Sequence, residues 1–335
     1  MIHPSSFLRL LPPFMIFATS LTAAPGADAG LRIGMIGLDT SHAVAFTKML
    51  NDPKASNHLS GATVVAAFRS GSPDMQKASI DRIAGFAKDL SEKYGVKLCD
   101  SIEEVLGQVD CVMIENVDGR KHLEIARIVF PTGKPVFIDK PLAGTLGQGL
   151  EIVALAKKYN VPFFSASSLR YAESVTKLSP DTRAAIRALT SQSPCTLEPH
   201  HPDLFWYGVH GVEILYAILG TGCQTVVRTH APDVDVVTGR WADGRVATFQ
   251  GYRDANAGYG FKALLKTGVI NDDLKADYAP LVREIVSFFQ TRKAPVSHDE
   301  MIEVLAFMEA ADESKRQGGS PVSISDVLRM HGAKR

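Results

Sequence analysis

Lys140 stands directly after the apolar run Pro135-Val136-Phe137-Ile138, at the kind of strand end where α/β sheets bind ligands. Seventy residues on, His210 sits in a helical run ending at Gly220, with Glu213 one turn later on the same face. An ammonium can hold a hydroxyl oxygen and favour the developing alkoxide, and an imidazole can take the hydroxyl proton near neutrality. Together they suit proton and hydride exchange at a carbinol. Glu213 is expected to raise the basicity of His210. The run Pro199-His200-His201-Pro202-Asp203 lies just upstream. With His210 and Glu213 it offers N and O donors for a divalent ion, but adjacent residues point apart, so a polar pocket rim is favoured and no metal ligand is assigned. Phe205, Trp206 and Tyr207 can stack on a sugar face or fill a domain junction.

A second constellation lies near the start of the chain. The run Leu31-Arg32-Ile33-Gly34-Met35-Ile36 reads as a buried strand, and Gly37-Leu38-Asp39-Thr40-Ser41-His42 leads into a helix over 43–50. A strand, a tight turn and a helix N-terminus together favour a pyrophosphate. Only the first glycine of the usual G-x-G-x-x-G pattern is present, at Gly37. A carboxylate at Asp39 about 5 Å from a phosphate charge would cost roughly 3 kcal/mol at an effective dielectric near 20. Thr40, Ser41 and His42 can offset this by donating hydrogen bonds. The alternative is that Asp39 caps the helix and no dinucleotide binds. Arg69 and Ser70 at the end of the second strand suit a 2′-phosphate better than free ribose hydroxyls, which favours NADP over NAD.

Alternating strands and helices must position these groups. Strands are expected at 63–68 and 110–114 besides those named, with helices at 81–94 and 121–129. The strands are too apolar for a half-exposed sheet, which predicts a doubly wound parallel sheet. Beyond it, 234–241 and 246–252 flank Asp243-Gly244, a hairpin signal. Strand candidates at 225–229 and 261–266 and helices at 281–291 and 301–316 complete an α+β domain with a mainly antiparallel open sheet. The expected organisation is a signal peptide over 1–29, a dinucleotide domain over 30–144 and a substrate and oligomer domain over 145–335. The leader reading rests on Arg9, an apolar run from Phe14 to about Ala24, and Ala27-Asp28-Ala29 before Gly30. It predicts export, to the periplasm or beyond.

The 335 residues carry 36 basic and 36 acidic side chains. That balance removes the electrostatic case for a nucleic-acid partner. The apolar leader run is too short to span a membrane. Four cysteines without a CxxC pair make neither a disulfide scaffold nor a thiolate zinc site. Whether Cys99, Cys111, Cys195 and Cys223 pair stays open.

Asp139-Lys140-Pro141, Ser168-Leu169-Arg170-Tyr171 and Tyr207-Gly208-Val209-His210 occur in that order. In this the chain resembles the Gfo/Idh/MocA oxidoreductase family, whose Glu-Lys-Pro signature Asp139-Lys140-Pro141 matches, over roughly 31–328. The resemblance implies a Rossmann domain followed by an open-sheet domain used for homo-oligomer contacts. It implies NAD(P)-dependent oxidation or reduction of a carbohydrate or cyclitol. It gives Lys140 the substrate hydroxyl and cofactor, His210 the proton, and His122 and Asp139 a place on the nucleotide side. The family acid four residues before the histidine is replaced by Trp206. Two other functions fit the same residues: a sugar-modifying lyase or hydrolase, metal-assisted in one version, and a non-catalytic carbohydrate-binding protein.

Overall fold

Six strands, β1 (Leu31–Ile36), β2 (Ala62–Phe68), β3 (Lys97–Cys99), β4 (Cys111–Ile114), β5 (Val136–Ile138) and β6 (Phe163–Ser165), form one parallel sheet in the order β3-β2-β1-β4-β5-β6. This is a computed structural model, and it describes Met1 and residues 30–254, 256 and 258–333. The expected leader therefore lies outside the described residues, Met1 apart. The sheet is covered by helices α1 (Ser41–Asn51), α2 (Asp81–Tyr94), α3 (Ile102–Leu106), α4 (His122–Val129) and α5 (Leu146–Tyr159). β4 and β5 are buried along their whole length, as strands sandwiched between helices must be. Thr40 caps α1 by accepting from the His42 N–H, so the cap is neither Asp39 nor Ser41. Gly95, at φ 68°, ends α2.

The domain boundary expected at 144/145 falls too early. α5 and β6 complete the first sheet, so that domain runs to about Ser165. The segment has no composition change, because its apolar runs serve the same core.

Past it come α6 (Glu173–Thr176), α7 (Pro180–Ala185), β7 (Ile186–Pro194), α8 (Asp203–Trp206), α9 (Val209–Leu219), β8 (Cys223–Ala231), β9 (Val234–Trp241), β10 (Val246–Tyr252), β11 (Tyr259–Leu265), β12 (Gly268–Leu274), α10 (Ala279–Thr291), α11 (His298–Arg316), β13 (Val322–Ser323) and α12 (Ile324–Met330). The seven strands form a mostly antiparallel sheet, β12-β11-β7-β10-β9-β8-β13, with β7 and β10 parallel. The Asp243-Gly244 hairpin joins β9 to β10 as expected, with Gly244 at φ 90°. β7 escapes the sequence reading because Thr190-Ser191-Gln192-Ser193 is polar. It is nevertheless central, and Ser191 and Ser193 are buried and bonded to backbone carbonyls.

α11 packs against β8 and α9 of the second domain and against α5 of the first. A Cβ on Gly149 of α5 would meet Leu305 of α11 at 2.3 Å. That close approach fixes one domain against the other. The four cysteines are buried, and among the described residues none forms a disulfide.

Candidate active site

The carboxyl ends of β1, β4 and β5 open toward the second domain, and their following residues build the site. Lys140 follows Asp139 out of β5. Its ammonium has no hydrogen bond or ion pair among the described residues. His210 enters from the first turn of α9. Both line one interdomain cavity of about 200 Å³, with Ser41, His42 and Arg82 at its nucleotide side and Tyr207, Tyr259 and Tyr278 around it. Two wider depressions, of about 720 and 1000 Å³, lie elsewhere. The guanidiniums of Arg183 and Arg245 in the first are held on helix-end carbonyls, and neither depression contains the lysine–histidine pair.

His210 is fixed by Ser167, whose Oγ lies 2.8 Å from its Nδ1, and by Tyr207 and Tyr259 edge-on at 5.1 and 5.8 Å. That leaves Nε2 for a ligand. Burial, then the Lys140 ammonium, hold the imidazole well below the usual histidine value. It is therefore a neutral base. Asp139 is buried, takes the His42 Nδ1 at 2.7 Å, and accepts from the Lys140 N–H at 2.8 Å. Burial pushes its carboxyl up, but His42 and Lys140 outweigh this and hold it at about 2.

Several expected roles move. Glu213 does not touch His210; it accepts from Arg170 at 2.8 Å, and Arg170 also pairs with Glu300. The i+3 spacing put Glu213 on the right face, but a buried guanidinium from the Ser168–Tyr171 turn reaches it first. His122 is fully buried, with Nδ1 on the Leu142 carbonyl and Nε2 on the Asn116 carbonyl, so it holds loops together and meets no ligand. Asp39 faces away from the cavity. Its carboxylate accepts from the Val117 N–H at 2.9 Å and the Ser79 hydroxyl at 2.7 Å, joining the loops after β1, β2 and β4. Burial raises its carboxyl above the usual range. Arg69 is exposed at the end of β2 and Ser70 accepts from the Asn116 side chain; neither lines the cavity. Gly37, at φ 94°, turns the chain where an added Cβ would meet Asn116 at 2.5 Å.

Thr40, Ser41, His42, Lys140, Asp139 and His210 are thus brought together. The sequence reading missed Ser167 and Arg82, which no local signal marks. It also missed Glu115, which a charge ending the apolar run Cys111–Ile114 does mark.

A second polar cluster ties the domains together beside this site. His201 is buried between Glu198, at 2.5 Å, and Asp118 of the β4–α4 loop, at 2.9 Å. Asp118 also accepts from Ser72 at 2.5 Å and from Arg120, which forks onto Asp74. The 198–201 segment is therefore a strap from the second domain onto the nucleotide-side loops. Burial pushes His201 down, but the two carboxylates outweigh it and raise it. Burial pushes Asp118 up, and His201, Arg120 and Ser72 more than reverse that.

The residues at the α1 corner fit an anionic group. The first turn of α1 carries no acid, Ser41 is exposed, and Arg82 faces the same cavity, its one side-chain hydrogen bond among the described residues going to the Ala78 carbonyl. The cavity is smaller than the roughly 300–1,000 Å³ common for small-molecule sites, so loading a whole dinucleotide requires the cleft to widen.

The family model described as "Oxidoreductase family, NAD-binding Rossmann fold" matches residues 31–167. Over that segment the chain is similar to the Gfo/Idh/MocA oxidoreductase family. The solved structures share the fold over 88–90% of this chain. An oxidoreductase from Thermotoga maritima is 19% identical, at TM-score 0.69, covering 90% of this chain and 100% of its own. Myo-inositol dehydrogenase from Lactobacillus casei, in complex with NAD(H) and myo-inositol, is 16% identical at TM-score 0.69, covering 88% and 97%. An Agrobacterium radiobacter oxidoreductase in complex with NAD⁺, L-tartaric acid and magnesium is 15% identical at TM-score 0.69, covering 90% and 100%. No curated protein matches the chain.

Proposed function

We propose that the protein is an NAD(P)-dependent oxidoreductase acting on a hydroxyl of a carbohydrate or cyclitol. The observation that carries this is the pairing of an unpartnered lysine with a neutral histidine on one interdomain cavity. The Lys140 ammonium holds the substrate oxygen and favours its negative charge. The form of His210 that acts as base has Nδ1–H donating to Ser167, so Nε2 takes the hydroxyl proton. Asp139 fixes the backbone of Lys140. The tyrosines exclude water and offer aromatic edges to a polyol. Hydride exchange at the substrate carbon is the chemistry a bound dinucleotide supplies. The first turn of α1 and Arg82 would hold its phosphates.

The test is titration with NADP⁺ and NAD⁺, followed by a polyol panel read through nicotinamide absorbance. Saturable binding, with turnover that falls about 10²–10⁴-fold in His210→Ala, supports the reading. No saturable binding of either dinucleotide overturns it.

Two further features belong to the same proposal. Residues 1–29 export the protein, which N-terminal sequencing of the mature chain tests by a start at Gly30. Copies associate through the open face of the second sheet, where Leu264 and Val269 are 48% and 53% exposed; light scattering at rising concentration tests it. Among the described residues no helix is long and apolar enough to cross a membrane.

A further inference from the structure

The end of β4 carries a carboxyl group that redox chemistry leaves without a task. Glu115 is fully buried, and among the described residues neither of its side-chain oxygens has a hydrogen-bond partner. A buried carboxylate in that condition is strongly unfavourable unless a cation or a proton compensates it. Its position is set by register. β4 and β5 are parallel with Ile114 beside Ile138, so Glu115 and Asp139 leave neighbouring strands at the same edge. His42 reaches that edge from the first turn of α1, with its Nδ1 2.7 Å from Asp139 Oδ2. One donor atom from each of His42, Glu115 and Asp139 lies within 4.8 Å of the other two.

The ring that supplies the nitrogen is held in place. His42 stacks on Phe46 at 5.2 Å and meets Tyr278 edge-on at 4.8 Å. The Lys140 ammonium is the charged group that faces both carboxylates from β5, and it offsets one of them. The other is left for a second cation.

We propose that His42, Glu115 and Asp139 form a site for one divalent transition-metal ion. Two carboxylate oxygens and an imidazole nitrogen, with no thiolate, suit zinc or manganese. Binding exchanges the His42–Asp139 hydrogen bond for two metal–ligand bonds and adds a third from Glu115. Metal–ligand bonds form at His42 Nδ1 and at one oxygen of each carboxylate, and any proton on those atoms passes to solvent. The site stands on strand register and burial and does not depend on dinucleotide binding.

The experiment uses the full chain, stripped with a chelator and dialysed, then titrated with Zn²⁺ or Mn²⁺ alone by calorimetry. One equivalent of at least one of these ions is expected to bind, with a metal-dependent rise in Tm. Glu115→Gln is isosteric with the protonated acid and is expected to keep the metal-free fold. It should weaken binding at least about 100-fold and abolish the rise in Tm. His42→Gln should do the same, and it decides the matter if Glu115→Gln does not fold. Wild-type binding of neither ion, or binding equal to that of the variants, overturns the site. NADP⁺ binding to the same samples is read separately, so loss of the redox reading and loss of the metal site are distinct results.

Discussion

Burial and the neighbouring Lys140 ammonium hold His210 well below the usual histidine value, and Ser167 occupies one of its nitrogens. A base of that kind stays neutral below pH 6.5, so the acid limb of kcat/KM should lie below that value. Lys140→Met removes the repelling charge. It should move the limb upward as well as lower kcat, which a pH–rate profile in both proteins reads directly. Ser167→Ala should reduce kcat by about tenfold, the worth of one hydrogen bond, with KM little changed. Glu213 belongs to a different account. Glu213→Gln leaves the buried Arg170 with Glu300 alone and should destabilise the fold by about 3 kcal/mol in urea denaturation. It should leave the pH limb where it was. The sequence made Lys140 and His210 legible because each follows or starts a recognisable element. It misassigned Glu213 because spacing along a helix says which residues share a face, not which distant arginine arrives there.

At the scale of elements, the loop after β1 turns at Gly37 and is then held by a carboxylate rather than by further glycines. Asp39 bonds the loop after β4 and the short helix after β2, and no glycine could replace those bonds. Asp39→Gly should therefore weaken dinucleotide binding and lower stability by about 2 kcal/mol. Tighter binding by fluorescence titration would show that the carboxylate faces a phosphate after all. The elements themselves were largely readable. Helix 81–94 and the Asp243-Gly244 hairpin fall where apolar periodicity and turn chemistry put them. β7 was not readable, since a strand buried through hydroxyls bonded to carbonyls looks like a loop. The boundary near residue 165 was hidden for a related reason. α5 and β6 are as apolar as the strands before them, and only the strand order shows which sheet they join.

For the whole molecule, the strap at Glu198–His201 links stability to pH. The folded value of His201 is raised above 6.5, so its contribution is complete below 6.5 and is lost as the pH rises through the folded value. Asp118 is depressed below 3.8, so its contribution is present above 3.8 and is lost on further acidification. The strap is strongest between those limits. Wild-type Tm should fall as the pH is raised from about 6 to about 8, and His201→Gln should remove part of that fall. A loosened strap should also speed dinucleotide association in stopped flow, because the cleft must widen to load. α11, seated on both domains, leaves less freedom for hinge rotation than for lifting of the strap.

One rim of the second sheet has a consequence of its own. β12 is an outermost strand, and Asp272 and Asp273 lie near its end at Leu274, with Lys275 just beyond. Like charges along an unpaired ladder repel an incoming chain, so this rim resists fibre growth by strand addition. If copies associate as proposed, the contact must use the flat of the sheet, and a face-to-face pair closes on itself rather than extending without limit.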